Sequence, residues 1–255
     1  MRKFKGFDKN FSLEGKSAVI TGGASGIGYA VARMFHEKGA KVAIFDISQN
    51  VTGAAREISE VCLGLKTDIT DIDSIHASLK TVKENFGRID VLCNIAGLGH
   101  SADAADVKKE DWESVTAVNM TGLFFMCQQV GRIMIEQGNG GKIINMSSQA
   151  GVVGLAQHAC YGATKAAVIN ITKTLANEWG KHRINVNAVS PTVILTPMCE
   201  DYWTGERAEK LLDKIPIGRF GFPDEAAACF VFLASDASDM ITGTNLVIDG
   251  GFTIC

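Results

Sequence analysis

Basic runs, long apolar stretches and paired cysteines are all missing from this sequence, and each absence removes a class of function. The formal net charge is −3, from 25 Lys+Arg against 28 Asp+Glu, and no Lys/Arg cluster stands out. A partner bound through its phosphate backbone needs such a basic footprint, so no nucleic-acid partner is expected. No apolar run reaches the roughly 18 residues that a membrane span requires, so no membrane partner is expected either. The stretch from Met1 to Lys16 mixes Lys, Asp and Asn with isolated Phe. It lacks the continuous apolar segment of a secretory leader, and the cytoplasm is the expected compartment. The cysteines, Cys62, Cys93, Cys127, Cys160, Cys199, Cys229 and Cys255, lie far apart with no Cys-x-x-Cys pair. An odd, scattered set reads as free thiols in a reducing compartment, used as small buried hydrophobes. No metal-ligand set is read from the residues.

Prolines are scarce too: the chain has 4, and all fall between Ser190 and Pro223. What remains is the composition of an ordinary folded globular protein: 255 residues, 46% hydrophobic and 21% charged. That length suits one large α/β domain whose core needs no staples, and residues 1–255 are read as a single domain.

Short β-branched runs alternate with longer amphipathic stretches. Strands are expected at Ser17–Thr21, Val42–Asp46, Leu63–Asp68, Ile89–Asn94, Lys142–Ser147, Ile184–Val189 and Asn245–Asp249. Helices are expected at Ile27–Lys38, after Asp46, and at Ile72–Phe86, Trp112–Gln137, Tyr161–Gly180 and Asp224–Ser235. In Trp112–Gln137, Gly122 and Gly131 argue against unbroken helix. Strands separated by helices imply βαβ units and a parallel sheet covered on both faces, a doubly wound fold. The segment of about 190–223 receives no assignment and is read as a substrate lid.

The first strand runs into Gly22-Gly23-Ala24-Ser25-Gly26-Ile27-Gly28, which opens a helix. Glycines let the backbone turn tightly and approach a pyrophosphate, which the helix N-terminus favours. The spacing is Gly-x-x-x-Gly-x-Gly, and a plain strand-to-helix turn is the bland alternative. Asp46 ends the second strand, where a carboxylate can accept bonds from ribose hydroxyls and would repel a 2′-phosphate. Its neighbours Ile47 and Ser25 are not basic, so NAD is expected rather than NADP. Asp46 could instead be only a turn cap.

Tyr161 and Lys165 stand at i and i+4 on one helix, hence on one face, and Ser148 ends a strand before them. Hydride transfer between an alcohol and a nicotinamide needs removal of the hydroxyl proton. Free tyrosine, with a pKa of about 10, is a poor base near neutrality. A neighbouring ammonium would lower that pKa. Ser148 could hold the substrate oxygen while charge develops there. Asn119 could bind a water that links Lys165 to solvent. A single Tyr-x-x-x-Lys is more often a surface pair; the combination with Ser148 and the glycine loop is what points to chemistry.

The glycine loop, Asn94-Ile95-Ala96-Gly97, Asn119, Ser148 and Tyr161-Gly162-Ala163-Thr164-Lys165 together resemble the short-chain dehydrogenase/reductase family, from about Leu13 to the C-terminus. The resemblance implies a Rossmann-like sheet of seven parallel strands in the order 3-2-1-4-5-6-7. It also implies that Asn119, Ser148, Tyr161 and Lys165 are the catalytic residues. Gly22, Ser25, Gly26, Ile27, Gly28, Asp46, Asp68, Ile69, Asn94, Ala96, Gly97, Tyr161, Lys165, Pro191, Val193 and Thr196 are implied to contact the cofactor, with Val189 beside the nicotinamide. Two departures stand out: Ile95 where Asn is frequent, and Thr192 where Gly normally follows the proline.

The Pro191-Thr192 variant is similar to that of polyol dehydrogenases and dicarbonyl/L-xylulose reductases, as are Gln149, His158 and Trp203. Overall the sequence is similar to bacterial NAD-dependent dehydrogenases of glycerol, arabitol and related sugar alcohols. Gln149 and His158 could bond substrate hydroxyls, with Ser148 and Tyr161, and Trp203 could cover an apolar sugar face; each has an equally good structural reading. The leading expectation is an NAD-dependent oxidoreductase of a small polyol and its ketone. The alternatives are 3-oxoacyl-thioester reduction and a nucleotide-binding regulator without turnover. A homotetramer is implied by the resemblance.

Overall fold

The structure, a computed structural model, describes residues 6–196 and 203–254. Its strands are β1 (Ser17–Thr21), β2 (Lys41–Asp46), β3 (Leu63–Lys66), β4 (Val91–Asn94), β5 (Gly141–Met146), β6 (Ile184–Pro191) and β7 (Asn245–Ile248). They form one 7-stranded sheet in the order β3-β2-β1-β4-β5-β6-β7, and every pairing is parallel. The helices are α1 (Gly26–Glu37), α2 (Val51–Ile58), α3 (Ile72–Phe86), α4 (Lys109–Thr116), α5 (Leu123–Gln137), α6 (Ala159–Trp179), α7 (Gly205–Leu212) and α8 (Pro223–Ala234).

Side chains alternate across a strand, so each strand feeds two cores. Ala18, Ile20, Val42, Ile44, Val91 and Cys93 pack with α1, α2 and α8 on one face. Val19, Ala43, Phe45, Leu92 and Ile143 pack with α3, α5 and α6 on the other. The order reverses at β1, which lies between β2 and β4. Connections leave that point in opposite directions, which opens a crevice beyond the carboxyl ends of β1 and β4.

Three expectations are corrected. The helix expected at Trp112–Gln137 starts at Lys109 and is split by a π-helical turn at Ala117–Gly122 before α5 resumes. Neither glycine ends it. A side chain at Gly122 would press on the Ile69 carbonyl, and one at Gly131 would overlap the Trp179 ring, so both mark close approaches. The third strand stops at Lys66 rather than Asp68, because the Asp68 carboxylate accepts from the Thr70 amide (2.8 Å) and hydroxyl (2.7 Å) and turns the chain. The unassigned segment contains α7, which buries only Ala208 and carries a Glu206–Lys210 pair at 2.7 Å. No helix among the described residues is long and apolar enough to cross a membrane.

Candidate active site

At the crevice, β1 ends in a loop whose glycines are sterically required. Gly22 (φ +68) and Gly26 (φ +54) lie in the left-handed region, and a Cβ on Gly28 would collide with the Gly22 carbonyl. A Cβ on Gly22 would come to 2.9 Å from the Ala96 backbone. Thr21 holds that backbone in place: its hydroxyl accepts from the amides of Ile95 (3.0 Å) and Ala96 (3.2 Å). A lone threonine at a strand end gave no signal of this role. The first turn of α1 has no acidic residue, and the Ser25 side chain at its N-cap makes no capping bond, which leaves amide donors for an anion.

Asp46 is half-buried; its carboxylate accepts from the Ala24 amide at 3.1 Å and the Ser48 amide at 2.9 Å. It therefore caps the glycine loop, the bland role, yet an ionised carboxylate has about four acceptor sites and keeps capacity for ribose hydroxyls. Ile47 beside it is 65% exposed. Asp68 is exposed and Ile69 buried against Gly122. A backbone cradle closed to side chains, an open helix N-terminus and a carboxylate at the end of β2 together fit a dinucleotide.

A cleft of roughly 260 Å³ continues toward β5 and β6, lined by Ile27, Ile95, Gly97, Leu98, Gly99, Met146, Ser147, Ser148, Tyr161, Lys165, Pro191, Thr192, Ile194 and Thr196. Ser148 starts the short turn after β5, where its Oγ accepts from the Ala150 amide at 3.2 Å. Tyr161 and Lys165 come from the first turns of α6, which Ser147 ties to β5 by donating to the Lys165 carbonyl at 2.8 Å.

Lys165 is 2% exposed; its Nζ donates to the Met146 carbonyl at 2.9 Å and sits 5.5 Å from the Tyr161 ring centre. Burial lowers the Lys165 ammonium to about 8. Burial also raises the Tyr161 hydroxyl, against a hydrogen bond from Ser148 that lowers it. The net direction in the free protein is upward, opposite to the lowering expected from the Lys165 ammonium. Gly97 leaves the space between these groups open: a Cβ there would lie 3.2 Å from Asn119 Oδ1 and 3.5 Å from Lys165 Nζ.

Several expected contacts are placed elsewhere. Asn119, fully buried in the π turn, accepts from the Leu98 amide (2.7 Å) and donates to the Leu98 carbonyl (2.9 Å) and Thr164 hydroxyl (3.3 Å). Its side chain holds the loop after β4, and its Oδ1 keeps a second acceptor site. Asn94 turns into the core, where it donates to Asn145 Oδ1 at 2.9 Å and Cys127 Sγ at 3.1 Å. It supports the cleft from below instead of lining it. Val189 is fully buried in the core, whereas Val193 and Ala96 are half-buried, Ala96 with its backbone against Gly22.

Gln149, His158 and Trp203 are likewise outside the lining. Gln149 is 5% exposed, and its Oε1 has no partner among the described residues. His158 Nδ1 lies 2.7 Å from the Ala156 carbonyl, and its ring is 6.2 Å from that of Tyr161. Trp203 packs at 5.6 Å on Phe220, in the small core under α7. Cys62, Cys93, Cys127 and Cys160 are buried free thiols and Cys229 is half-buried, whereas Cys199 and Cys255 lie outside the described residues.

A family model described as Enoyl-(Acyl carrier protein) reductase matches residues 22–253. The chain is 48% identical to an NAD-dependent glycerol dehydrogenase of Listeria innocua, over 98% of this chain and 99% of that protein. It is 46% identical to a D-threitol dehydrogenase of Mycolicibacterium smegmatis, over 97% of this chain and 96% of that protein. Among solved structures it is similar to a 3-ketoacyl-(acyl-carrier-protein) reductase of Brucella melitensis complexed with NADH, with a TM-score of 0.88 and 35% identity over 95% of this chain and 100% of that one. With the glycine loop, the buried lysine behind the tyrosine and the reversal of strand order all in place, the chain belongs to the short-chain dehydrogenase/reductase family.

Proposed function

We propose that this protein is an NAD-dependent oxidoreductase that interconverts a small polyol and the corresponding ketone, with Tyr161 as general acid/base. The observation that carries the reading is a cleft that brings Ser148, Tyr161 and buried Lys165 together, with Lys165 Nζ 5.5 Å from the Tyr161 ring centre. The likeness to glycerol and threitol dehydrogenases supports a polyol substrate. When bound, NAD supplies the hydride acceptor. Gly22, Ser25, Gly26, Ile27 and Gly28 would cradle its phosphates, Asp46 its adenosine ribose, and Asp68 and Ile69 its adenine. Gly97, Lys165, Pro191 and Thr196 would flank its reacting end.

Ser148 Oγ and Tyr161 Oη hold the substrate oxygen between them, and Tyr161 takes or returns its proton. Burial keeps Tyr161 protonated near neutrality, which arms it as the donor for ketone reduction. Alcohol oxidation needs the phenolate, so its rate rises with pH while ketone reduction falls. Lys165 Nζ, held down to about 8, can exchange a proton in the working range and stabilises the phenolate while charged. Asn119 acts by fixing Leu98 at the cleft mouth.

The segment of about 190–223 serves as the substrate lid. Its base is pinched where Leu195 donates to the Gly221 carbonyl at 2.9 Å and Gly221 to the Val193 carbonyl at 3.0 Å. The working form is a cytoplasmic homotetramer, for which light scattering should return four times the chain mass. A second reading, 3-oxoacyl-thioester reduction, has support from the likeness to the Brucella melitensis reductase. The two separate in one screen by NADH absorbance with glycerol, 1,2-propanediol, D-arabitol, xylitol, sorbitol and an acetoacetyl thioester. Oxidation of at least one polyol with NAD is expected. Reduction of the thioester with no polyol oxidised would replace the first reading by the second.

A further inference from the structure

Most polar side chains along the cleft already have a partner. Ser147 donates to the Lys165 carbonyl, Lys165 Nζ donates to the Met146 carbonyl, and Ser148 Oγ accepts from the Ala150 amide. Thr192 differs from all of them. It lines the cleft, it is half-buried, and its Oγ1 is enclosed with no hydrogen-bond partner among the described residues. An enclosed hydroxyl without a partner is held at a cost that a bound ligand can relieve. Gln149 Oε1 shares that condition, but Gln149 does not line the cleft.

The backbone fixes where Thr192 acts. It directly follows β6, and its amide donates to the Ile248 carbonyl at 3.2 Å, which anchors it to β7. In the β5–β6 ladder Met146 faces Val189, so the chain reaches Thr192 just past the level of Ser148. Apolar side chains of Ile95, Leu98 and Ile194 also line the cleft. A vicinal diol with one oxygen between Ser148 and Tyr161 places its second hydroxyl on the neighbouring carbon. Against an apolar wall that group would lose its hydrogen bonds to water. A threonine hydroxyl and methyl exchange places by one step about χ1, a move between staggered wells.

Building on the polyol reading above, we infer that Thr192 is a specificity-determining residue whose hydroxyl bonds the second hydroxyl of a vicinal diol. The residue that stands where a glycine normally follows the proline thus reads the substrate. Sites built to bond a hydroxyl discriminate against analogues that lack it, because their own polar group is then left unpaired.

The test compares 1,2-propanediol with 2-propanol, which differ by that hydroxyl, in the full-length enzyme with NAD. Thr192→Val keeps the shape and removes the donor; it should lower kcat/KM for the diol by about tenfold and leave 2-propanol within about twofold, as expected for one lost bond. Thr192→Ser should keep most of the diol preference, and the NADH Kd should be unchanged in both. Should Thr192→Val not fold, Thr192→Ala makes the same comparison. An equal loss on both alcohols, or no loss on the diol, overturns the inference while the polyol reading stands. A wild-type enzyme that oxidises no diol removes that reading and this inference together.

Discussion

The nucleotide half of the cleft and its chemical half are held by different kinds of contact. Around Gly22–Gly28 the site is made of backbone: left-handed glycines, a carbonyl against which no Cβ fits, and the unfilled N-terminus of α1. Around Tyr161 it is made of side chains held in place by backbone, Lys165 by the Met146 carbonyl and Asn119 by the Leu98 amide and carbonyl. A backbone site tolerates little in shape but has no titrating group to lose. A side-chain site is tuned by burial, which pushes Tyr161 up and Lys165 down to about 8. Substitutions should therefore separate the halves: changes in the first should appear in cofactor binding, changes in the second in turnover and its pH dependence.

The largest separation should come from Lys165→Met, which keeps the buried volume and removes the ammonium. A loss in kcat of about 10² to 10⁴ is expected, with the alkaline rise of alcohol oxidation displaced to higher pH. An unchanged pH profile would mean that Lys165 does not act on Tyr161. Gly28→Ala is the matching change in the other half. Its methyl meets the Gly22 carbonyl, so NADH affinity should fall by more than about tenfold. Loss of the NADH-induced rise in Tm would report the same effect, and retention of that rise would contradict the cradle.

Asn119→Ala sharpens the comparison, because Asn119 is a side chain that acts on backbone. It leaves the Leu98 amide and carbonyl without their partner, at about 1–3 kcal/mol. A lower Tm and a rise in KM larger than the fall in kcat are expected. A fall in kcat alone, with Tm and KM kept, would assign Asn119 a direct chemical role. The smallest effect should be that of Asp46→Ala. It removes the acceptor of the Ala24 and Ser48 amides and the repulsion of a 2′-phosphate. The wild type should favour NAD over NADP by at least about tenfold in kcat/KM, and the variant should narrow that ratio chiefly by weakening NAD. Comparable efficiency of the wild type with both cofactors would refute this.

The same division explains what was legible in the sequence. Glycine spacing is a direct record of backbone geometry, so the loop follows from it and the parallel sheet from strand–helix alternation, while the strand order and its reversal at β1 were implied by the family resemblance. Residue types in the chemical half were legible too, since Tyr161 and Lys165 share a helix face and Ser148 ends a strand. Their partners were not. Asn119 and Asn94 carry the same side chain. Whether it meets the Leu98 backbone or the Asn145–Cys127 pair is decided by tertiary packing, not by local pattern. The π turn at Ala117–Gly122 was hidden for the same reason, because the glycine that reads as a breaker is a contact with the Ile69 carbonyl. Helix α7, short and flanked by prolines, has too few periods for its pattern to stand out.

The most direct test of the account is Tyr161→Phe, read by kcat and by NADH binding in one preparation. The ring and its packing remain while the proton-bearing hydroxyl in the cleft is removed. The expected result is a loss of about 10² to 10⁴ in kcat with the NADH Kd nearly unchanged. A variant that kept more than about a tenth of wild-type kcat, under conditions where general acid–base catalysis should dominate, would contradict the assignment of the proton to Tyr161.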